Sequence, residues 1–214
     1  MRNRFDRQLG TLQNELHLMG SQIEQAIELA VAALNERNLE KAKEAIVFDE
    51  AIDSQEKKIE NLCFQILLSQ QPVASDLRTI SAALKMVTDM ERIGDQASDI
   101  GEIAQFLSKS DGKINLGHIT DMAKETTVMV FSALEAFGEK DLKKAAQVIA
   151  MDDRVDELFV TVKGEVIRMI QQDSHSGSQA IDMLMIAKYF ERIGDHATNI
   201  AEWVIYSITG ELPG

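Results

Sequence analysis

The sequence predicts an all-α protein built from two tandem copies of a three-helix unit. Only 2 of its 214 residues are Pro and 5% are aromatic, whereas Ala, Leu, Glu and Lys, which favour helices over sheets, are abundant. Residues 91–100 and 191–200 are identical at seven of ten positions, and both open with Glu-Arg-Ile-Gly-Asp. Chance does not produce this similarity, so we expect six helices that pack as one bundle with pseudo-twofold symmetry.

The first helix of each copy is predicted from apolar residues three and four positions apart, the spacing of a helix that buries one face. These residues are Leu9, Leu12, Leu16, Met19, Ile23, Ala26 and Ala30 in copy one, and Ile119, Met122, Met129, Ala133 and Ala136 in copy two. Residues 33–42 then align with residues 136–145 at an offset of 103. We interpret both segments as a helix end, a turn and the start of a second helix.

The offset between the copies falls from 103 to 100 before the third helix, so this connection is three residues shorter in copy two. Polar, breaker-rich stretches at residues 69–75, with Pro72, and 171–178, with Gly177, fit the two connections. Residues 108–115 are rich in turn formers and are predicted to link the copies. The expected repeats are therefore residues 1–107 and 116–214.

The third helix of each copy carries one apolar stripe and one stripe that changes character halfway. In copy one the core stripe is Met86, Met90, Ile93, Ala97, Ile100, Ala104 and Leu107. The other stripe starts with Leu77, Ile80, Leu84 and Val87 and continues with Glu91, Asp95 and Glu102, with Asp99 to one side. In copy two, Leu184 and Ala187 lead to Glu191, Asp195 and Glu202, with Asn199 in place of Asp99. The acidic arrangement was duplicated with the fold.

The second helix of each copy adds an acidic pair at i, i+4 spacing, Asp49 with Asp53 in copy one and Asp152 with Asp156 in copy two. Like charges at this spacing destabilise a helix unless a cation intervenes or some carboxyls stay protonated. Oxygen-only ligands suit magnesium, calcium, manganese or iron, and carboxylates also accept zinc. An acidic face that is merely solvated is the alternative. Four carboxylates in each unit could bind such an ion: Asp49, Asp53, Glu91 and Asp95 in copy one, and Asp152, Asp156, Glu191 and Asp195 in copy two.

Two residue types inside the motif have more than one interpretation. Gly94 and Gly194 each cost about 1 kcal/mol relative to Ala in a helix, so either close helix approach or room for an ion explains them. Arg92 and Arg192 point away from their neighbouring glutamates and are expected in salt bridges or partner contacts. No histidine is assigned as a ligand.

Composition also restricts location and partners. The single cysteine, Cys63, lies in an apolar run and is expected in the core of a protein from a reducing compartment. No stretch reaches the roughly 18 apolar residues of a membrane span, and no signal peptide is evident, so a cytoplasmic protein is expected. The net charge of −13 disfavours direct binding to nucleic acid or to an anionic membrane.

The sequence resembles the PhoU family of bacterial phosphate-transport regulators. The resemblance rests on residues 72–80, Leu84-Lys85 and residues 89–95, together with the doubled E(D)-x-x-x-D motif, and it spans nearly the whole chain. It implies a six-helix bundle, often a homodimer, without catalytic activity. It further implies a negative regulator of the phosphate-starvation response that couples the ATPase subunit of the phosphate ABC transporter to a sensor histidine kinase.

The resemblance also implies multinuclear metal clusters, with ligands at Asp49, Asp53, Glu91, Asp95 and Asp99 in copy one and at Asp152, Asp156, Glu191 and Asp195 in copy two. Asn199 loses one charge, so the second site is expected to bind fewer or weaker ions. Residues 72–78 have no match in copy two, and copy one is therefore expected to make a distinct partner contact.

Two alternatives from other functional classes remain open. One is a carboxylate-bridged di-iron enzyme or metal store, although Gly94 and Gly194 stand where the histidine of its Glu-x-x-His motif would be. The other is a metal-free helical adaptor whose acidic face binds basic surfaces of its partners.

Overall fold

The computed structural model of the protein describes residues 2–70, 73–108 and 116–213. Its six helices are α1 (Arg2–Glu36), α2 (Leu39–Gln70), α3 (Ala74–Leu107), α4 (Gly117–Glu139), α5 (Leu142–Gln172) and α6 (Gly177–Thr209). A 3-10 turn at Ser174–Ser176 precedes α6, and these ranges contain no β-strand. The prediction of an all-α fold with three helices in each copy is confirmed.

The turns after α1 and α4 are duplicated in detail. Arg37 and Lys140, 103 positions apart, both adopt left-handed backbone conformations, with φ of 52° and 56°. Asn38 and Asp141 follow them, and each side chain accepts hydrogen bonds from the backbone N–H groups two and three residues ahead. These caps start α2 and α5, so the predicted sequence of helix end, turn and helix start is confirmed in both copies.

The connections before α3 and α6 interrupt the helices where expected, but the prediction that the second is three residues shorter is wrong, because three residues separate α2 from α3 and four separate α5 from α6. α2 ends and α3 begins on either side of Pro72, which lies outside the described residues. Gly177 is the first residue of α6. Of the predicted linker, Ser108 directly follows α3, and residues 109–115 lie outside the described ranges.

The predicted apolar faces form the core. The named residues of α1 and α4 are buried, with Leu9 only partly so, and the core stripe of α3 is buried throughout. Cys63 is fully buried as predicted, and burial raises the pKa of its thiol to about 12. Leu77 is an exception, because it lies in the first turn of α3 and is 47% exposed.

The two copies pack through equivalent helices. α3 packs on α6 and α1 packs on α4, while α2 lies outside α1 and α3, and α5 lies outside α4 and α6. Within α3 and α6, Asp89 contacts His196, and Arg78 lies beside Gly210. Early residues of α3 thus meet late residues of α6, so the helices are antiparallel. Asp89 and His196 adjoin the two Glu-Arg-Ile-Gly-Asp segments in the chain, so these segments lie near the contact between the helices.

Among the described helices, none combines the length and the apolar character needed to cross a membrane.

Candidate metal centres

The first acidic region, which we call cluster one, lies between α2 and α3. Burial raises the pKa of Asp49, and the charges of Asp95, Asp53 and Asp99 raise this pKa further. Residues separated by more than forty positions in the chain therefore face one another across the helix pair. Cluster one comprises Asp49, Asp53, Glu91, Asp95 and Asp99.

Glu91 of cluster one has a further acidic neighbour, Glu56. The pKa of Glu91 is raised first by burial and then by Asp95, while Arg92 lowers it. Burial also raises the pKa of Glu56 on α2, followed by the charge of Glu91. Glu56 was missed from the sequence because Phe159 occupies the corresponding position of copy two, so the comparison of repeats could not single it out.

The second acidic region, cluster two, lies between α5 and α6 and comprises Asp152, Asp156, Glu191 and Asp195. Burial raises the pKa of Asp152 to about 6, helped by the charges of Asp195, Asp156 and Glu191. The pKa of Asp195 is also raised, first by burial and then by Glu191, while Lys188 lowers it. Both groups of carboxylates predicted from the repeats are thus brought together by the fold.

Different basic residues form ion pairs with carboxylates of the two clusters. Arg92 donates a hydrogen bond of 2.9 Å to Asp95 and lies 3.4 Å from a carboxylate oxygen of Glu91. In cluster two, Lys188 forms an ion pair with Glu191. The salt bridge expected for Arg92 is therefore present, but the prediction that Arg92 points away from Glu91 is wrong. Lys188 was not anticipated, because Thr88 is its counterpart in copy one.

The two mid-helix glycines permit close contacts of different kinds. A Cβ added to Gly94 would lie 2.9 Å from Cγ2 of Ile52, so this glycine allows α2 and α3 to approach closely. A Cβ added to Gly194 would lie 2.9 Å from Oδ1 of Asp152. The second glycine therefore makes space for one of the predicted ligands.

The donor atoms fit a hard cation, although their present arrangement does not coordinate one. Every predicted ligand supplies carboxylate oxygens, and the buried Oδ1 of Asp49 has no hydrogen-bond partner. Within the described ranges, however, no three or more His, Cys, Asp or Glu side chains are grouped closely enough to hold a metal ion. Ligation would require the side chains paired with Arg92 and Lys188 to rotate.

Asn199, which replaces an acidic residue of copy one, has a different partner. Its side-chain amide donates a hydrogen bond of 3.1 Å to Asp89 on α3, and His196 Nδ1 lies 2.9 Å from the same carboxylate oxygen. His118 lies 2.9 Å from Glu165, between α4 and α5. The exchange of Asp99 for Asn199 thus serves a contact between the copies.

Comparison with known proteins agrees with this architecture. The chain matches the PhoU domain over residues 16–104 and 119–204, one match in each repeat. The PhoU homolog of Clostridium acetobutylicum, a phosphate-specific transport system accessory protein, is 36% identical over 208 residues, covering 97% of this chain and 95% of that protein. The accessory protein PhoU of Escherichia coli is 28% identical over 97% of this chain and 86% of its own length.

Two crystal structures share the fold over nearly the whole chain. PhoU from Pseudomonas aeruginosa superposes with a TM-score of 0.91 at 33% identity, covering 97% of this chain and all of that one. The phosphate transport system regulatory protein PhoU from Streptococcus pneumoniae gives a TM-score of 0.89 at 26% identity, covering 98% and 99%. From its duplicated domain, its fold and these relatives, the chain belongs to the PhoU family.

Proposed function

We propose that this protein is a cytoplasmic negative regulator of the phosphate-starvation response that modulates phosphate uptake. The observation that carries the proposal is the similarity, over 97% of the chain, to a phosphate-specific transport system accessory protein. The relatives are named as accessory and regulatory proteins, so the proposal assigns no reaction to the chain.

The proposed mode of action is that of an adaptor. It binds the ATPase subunit of the phosphate ABC transporter and a sensor histidine kinase, and it acts as a homodimer. The acidic surface supports binding to basic patches of partner proteins, because the net charge is −13. The unequal clusters and the exposed Leu77 near the end of the α2–α3 hairpin support unequal partner contacts by the two repeats.

Metal ions on clusters one and two are the second part of the proposal. Cluster one would use Asp49, Asp53, Glu91, Asp95 and Asp99, and cluster two would use Asp152, Asp156, Glu191 and Asp195. Iron, manganese, magnesium or zinc bound there would neutralise carboxylates whose pKa values are raised first by burial and then by the charges of their neighbours. The chain's own contribution is to hold these oxygens on facing helices, with Gly194 leaving room for Asp152.

A metal-free adaptor is the second candidate, and one observation favours it. Glu91, Asp95 and Glu191 already pair with Arg92 or Lys188, and the described part of the chain has no preformed metal-binding group. In this version the acidic clusters bind basic surfaces of a partner directly.

The regulatory role is tested by deleting the gene in a host that depends on it. We expect phosphate-starvation genes to be expressed in phosphate-rich medium, and tagged protein from replete cells to recover the transporter ATPase and the kinase. Normal repression in the deletion strain, or recovery of neither partner by a well-expressed protein, would contradict the proposal.

The metal part is tested separately by elemental analysis of protein purified without chelator. We expect at least about one ion per chain, and a loss of metal when Asp49, Asp95, Asp152 and Asp195 are all changed to Asn. The fourfold variant of Asp6, Asp121, Asp153 and Asp173, which lie outside both clusters, is the charge-matched control. Metal well below one ion per chain in the wild type would favour the metal-free adaptor.

A further inference from the structure

Lys188 contacts both of the helices that carry cluster two. Its ammonium group donates a hydrogen bond to a carboxylate oxygen of Glu191, three residues further along α6, and forms an ion pair with it. The same ammonium lies over the ring of Phe159 on α5, 5.6 Å from the ring centroid. A cation within about 6 Å of an aromatic ring is attracted by its electron-rich face. The charge of Lys188 is therefore held between a predicted metal ligand of α6 and an aromatic side chain of α5.

This ammonium reaches carboxylates that solvent reaches only in part. The Glu191 side chain is 15% exposed, whereas that of Lys188 is 45% exposed. The charge of Lys188 also lowers the pKa of Asp195, one turn further along α6, against the larger effects of burial and of Glu191. Lys188 thus supplies positive charge to two of the four carboxylates of cluster two, which is the effect that a bound metal ion would have.

Copy one has different residues at both positions of this arrangement. Thr88 corresponds to Lys188 at an offset of 100, and Glu56 corresponds to Phe159 at an offset of 103. The Thr88 hydroxyl donates a hydrogen bond of 3.3 Å to a backbone carbonyl of its own helix. The basic residue of cluster one is Arg92, which pairs with two carboxylates of its own helix. Copy one therefore has an additional carboxylate where copy two has the ring that holds a cation.

We propose that Lys188, held by Phe159, is the resident cation of cluster two, and that a metal ion must displace it from Glu191 to fill this cluster. The proposal rests on the metal-binding part of the proposed function. An ammonium group offers only hydrogen-bond donors, so it occupies the carboxylate oxygen that a metal ion would use, and two cations at one carboxylate repel each other. Cluster two should therefore fill at a higher metal concentration than it would without Lys188.

The affinity test uses the full-length chain, stripped of metal and titrated calorimetrically with Mn²⁺ alone. Asp49→Asn with Asp95→Asn removes cluster one, so that the titration reports cluster two. In this background Lys188→Gln should tighten Mn²⁺ binding about fivefold, because Glu191 is released from its ion pair.

Lys43→Gln is the charge-matched control in the same background. Lys43 pairs with Glu40 at 2.8 Å, three residues away on α2, so its loss removes the same charge from the other repeat. Salt screens charges at such separations, and the affinity of cluster two should change less than about twofold. An unchanged affinity in Lys188→Gln, or an equal gain in Lys43→Gln, would overturn the proposal.

A double-mutant cycle tests the role of the aromatic ring. Phe159→Leu removes the ring but keeps an apolar side chain, and it should tighten Mn²⁺ binding to cluster two about two- to fivefold because the ammonium is held less firmly. The same change in a Lys188→Gln background should leave the affinity unaltered. A ring that merely packs against its neighbours would change the affinity equally with and without Lys188, and that outcome would count against the proposal.

Displacement of the ammonium is followed with Lys188 left unchanged. Amine acetylation of the chain without cluster one, read by peptide mass spectrometry, should modify Lys188 faster as Mn²⁺ fills cluster two, while Lys43 keeps its rate. A constant rate at Lys188 during filling would contradict displacement. A chain that binds no metal, with or without Lys188, overturns the metal part of the proposed function together with this inference, whereas metal binding that is indifferent to Lys188 overturns this inference alone.

Discussion

The Asp152→Asn variant should be more stable than the wild type when metal is absent and the pH is high. Burial and the charges of four neighbouring carboxylates raise the pKa of Asp152 from 3.8 to about 6. A difference of this size corresponds to at most about 3 kcal/mol of penalty for the charged form in the folded state. Asp152 is only half-buried, and solvent screens its neighbours, so we expect a gain of about 1–2 kcal/mol from the neutral amide.

The sign of the pH dependence follows from the direction of this shift. A raised pKa in the folded state means that the folded protein binds the proton more tightly than the unfolded chain does. The resulting contribution to stability is fully present below pH 3.8 and is lost as the pH rises through about 6. The gain from Asp152→Asn should therefore be larger at pH 8 than at pH 5, as measured by urea unfolding with EDTA.

Saturating metal should reverse the order of stability. A cation at 100 times its dissociation constant stabilises the folded state by about 2.7 kcal/mol, and the amide of Asp152→Asn weakens that site. Asp121→Asn, the same charge change at an exposed position of α4, is the control and should change stability by less than about 0.5 kcal/mol. Equal stability of Asp152→Asn and the wild type at pH 8 without metal, or the same gain at pH 5, would refute the reasoning.

Three further predictions concern the turns, the glycines and the counter-ion. Asp141→Ala removes the cap of α5 and should lower the free energy of unfolding in urea by about 1 kcal/mol; no change would show that the cap is redundant. Gly94→Ala should destabilise the folded state by about 1–2 kcal/mol because the added Cβ would lie 2.9 Å from Ile52. Gly164→Ala is the control, and it should be neutral or stabilising in the same assay because nothing lies within 4 Å of its added Cβ. Arg92→Gln removes an exposed ion pair worth up to about 1 kcal/mol. Calorimetry should therefore show that the Mn²⁺ affinity of cluster one rises up to about fivefold. An unchanged affinity would contradict this expectation.

Most of the fold could be predicted because its signals are local or repeated. The buried faces of α1 and α3 follow from side-chain periodicity, which depends only on helix geometry. The turns at Asn38 and Asp141 follow from capping chemistry within three residues. Periodicity put Leu77 in an apolar stripe, but its side chain is exposed. The reason is that periodicity does not show where the neighbouring helix ends.

The acidic clusters could be predicted in part. The repeat offset matched Asp49 with Asp152 and Glu91 with Glu191, and both groups come together in the structure. Glu56 has no acidic counterpart in the other copy, so comparing the repeats could not reveal it. The position of Glu56 beside Glu91 depends on how α2 is rotated against α3.

The sequence alone determined the helix class, the duplication and the pairing of acidic residues within each repeat. Only the tertiary structure decided which groups meet across the repeats: Asn199 and His196 of α6 bind Asp89 of α3. The physical reason is that such contacts depend on the rotation and crossing of α3 and α6. That geometry is a property of the whole packed core and leaves no periodic signal in either helix.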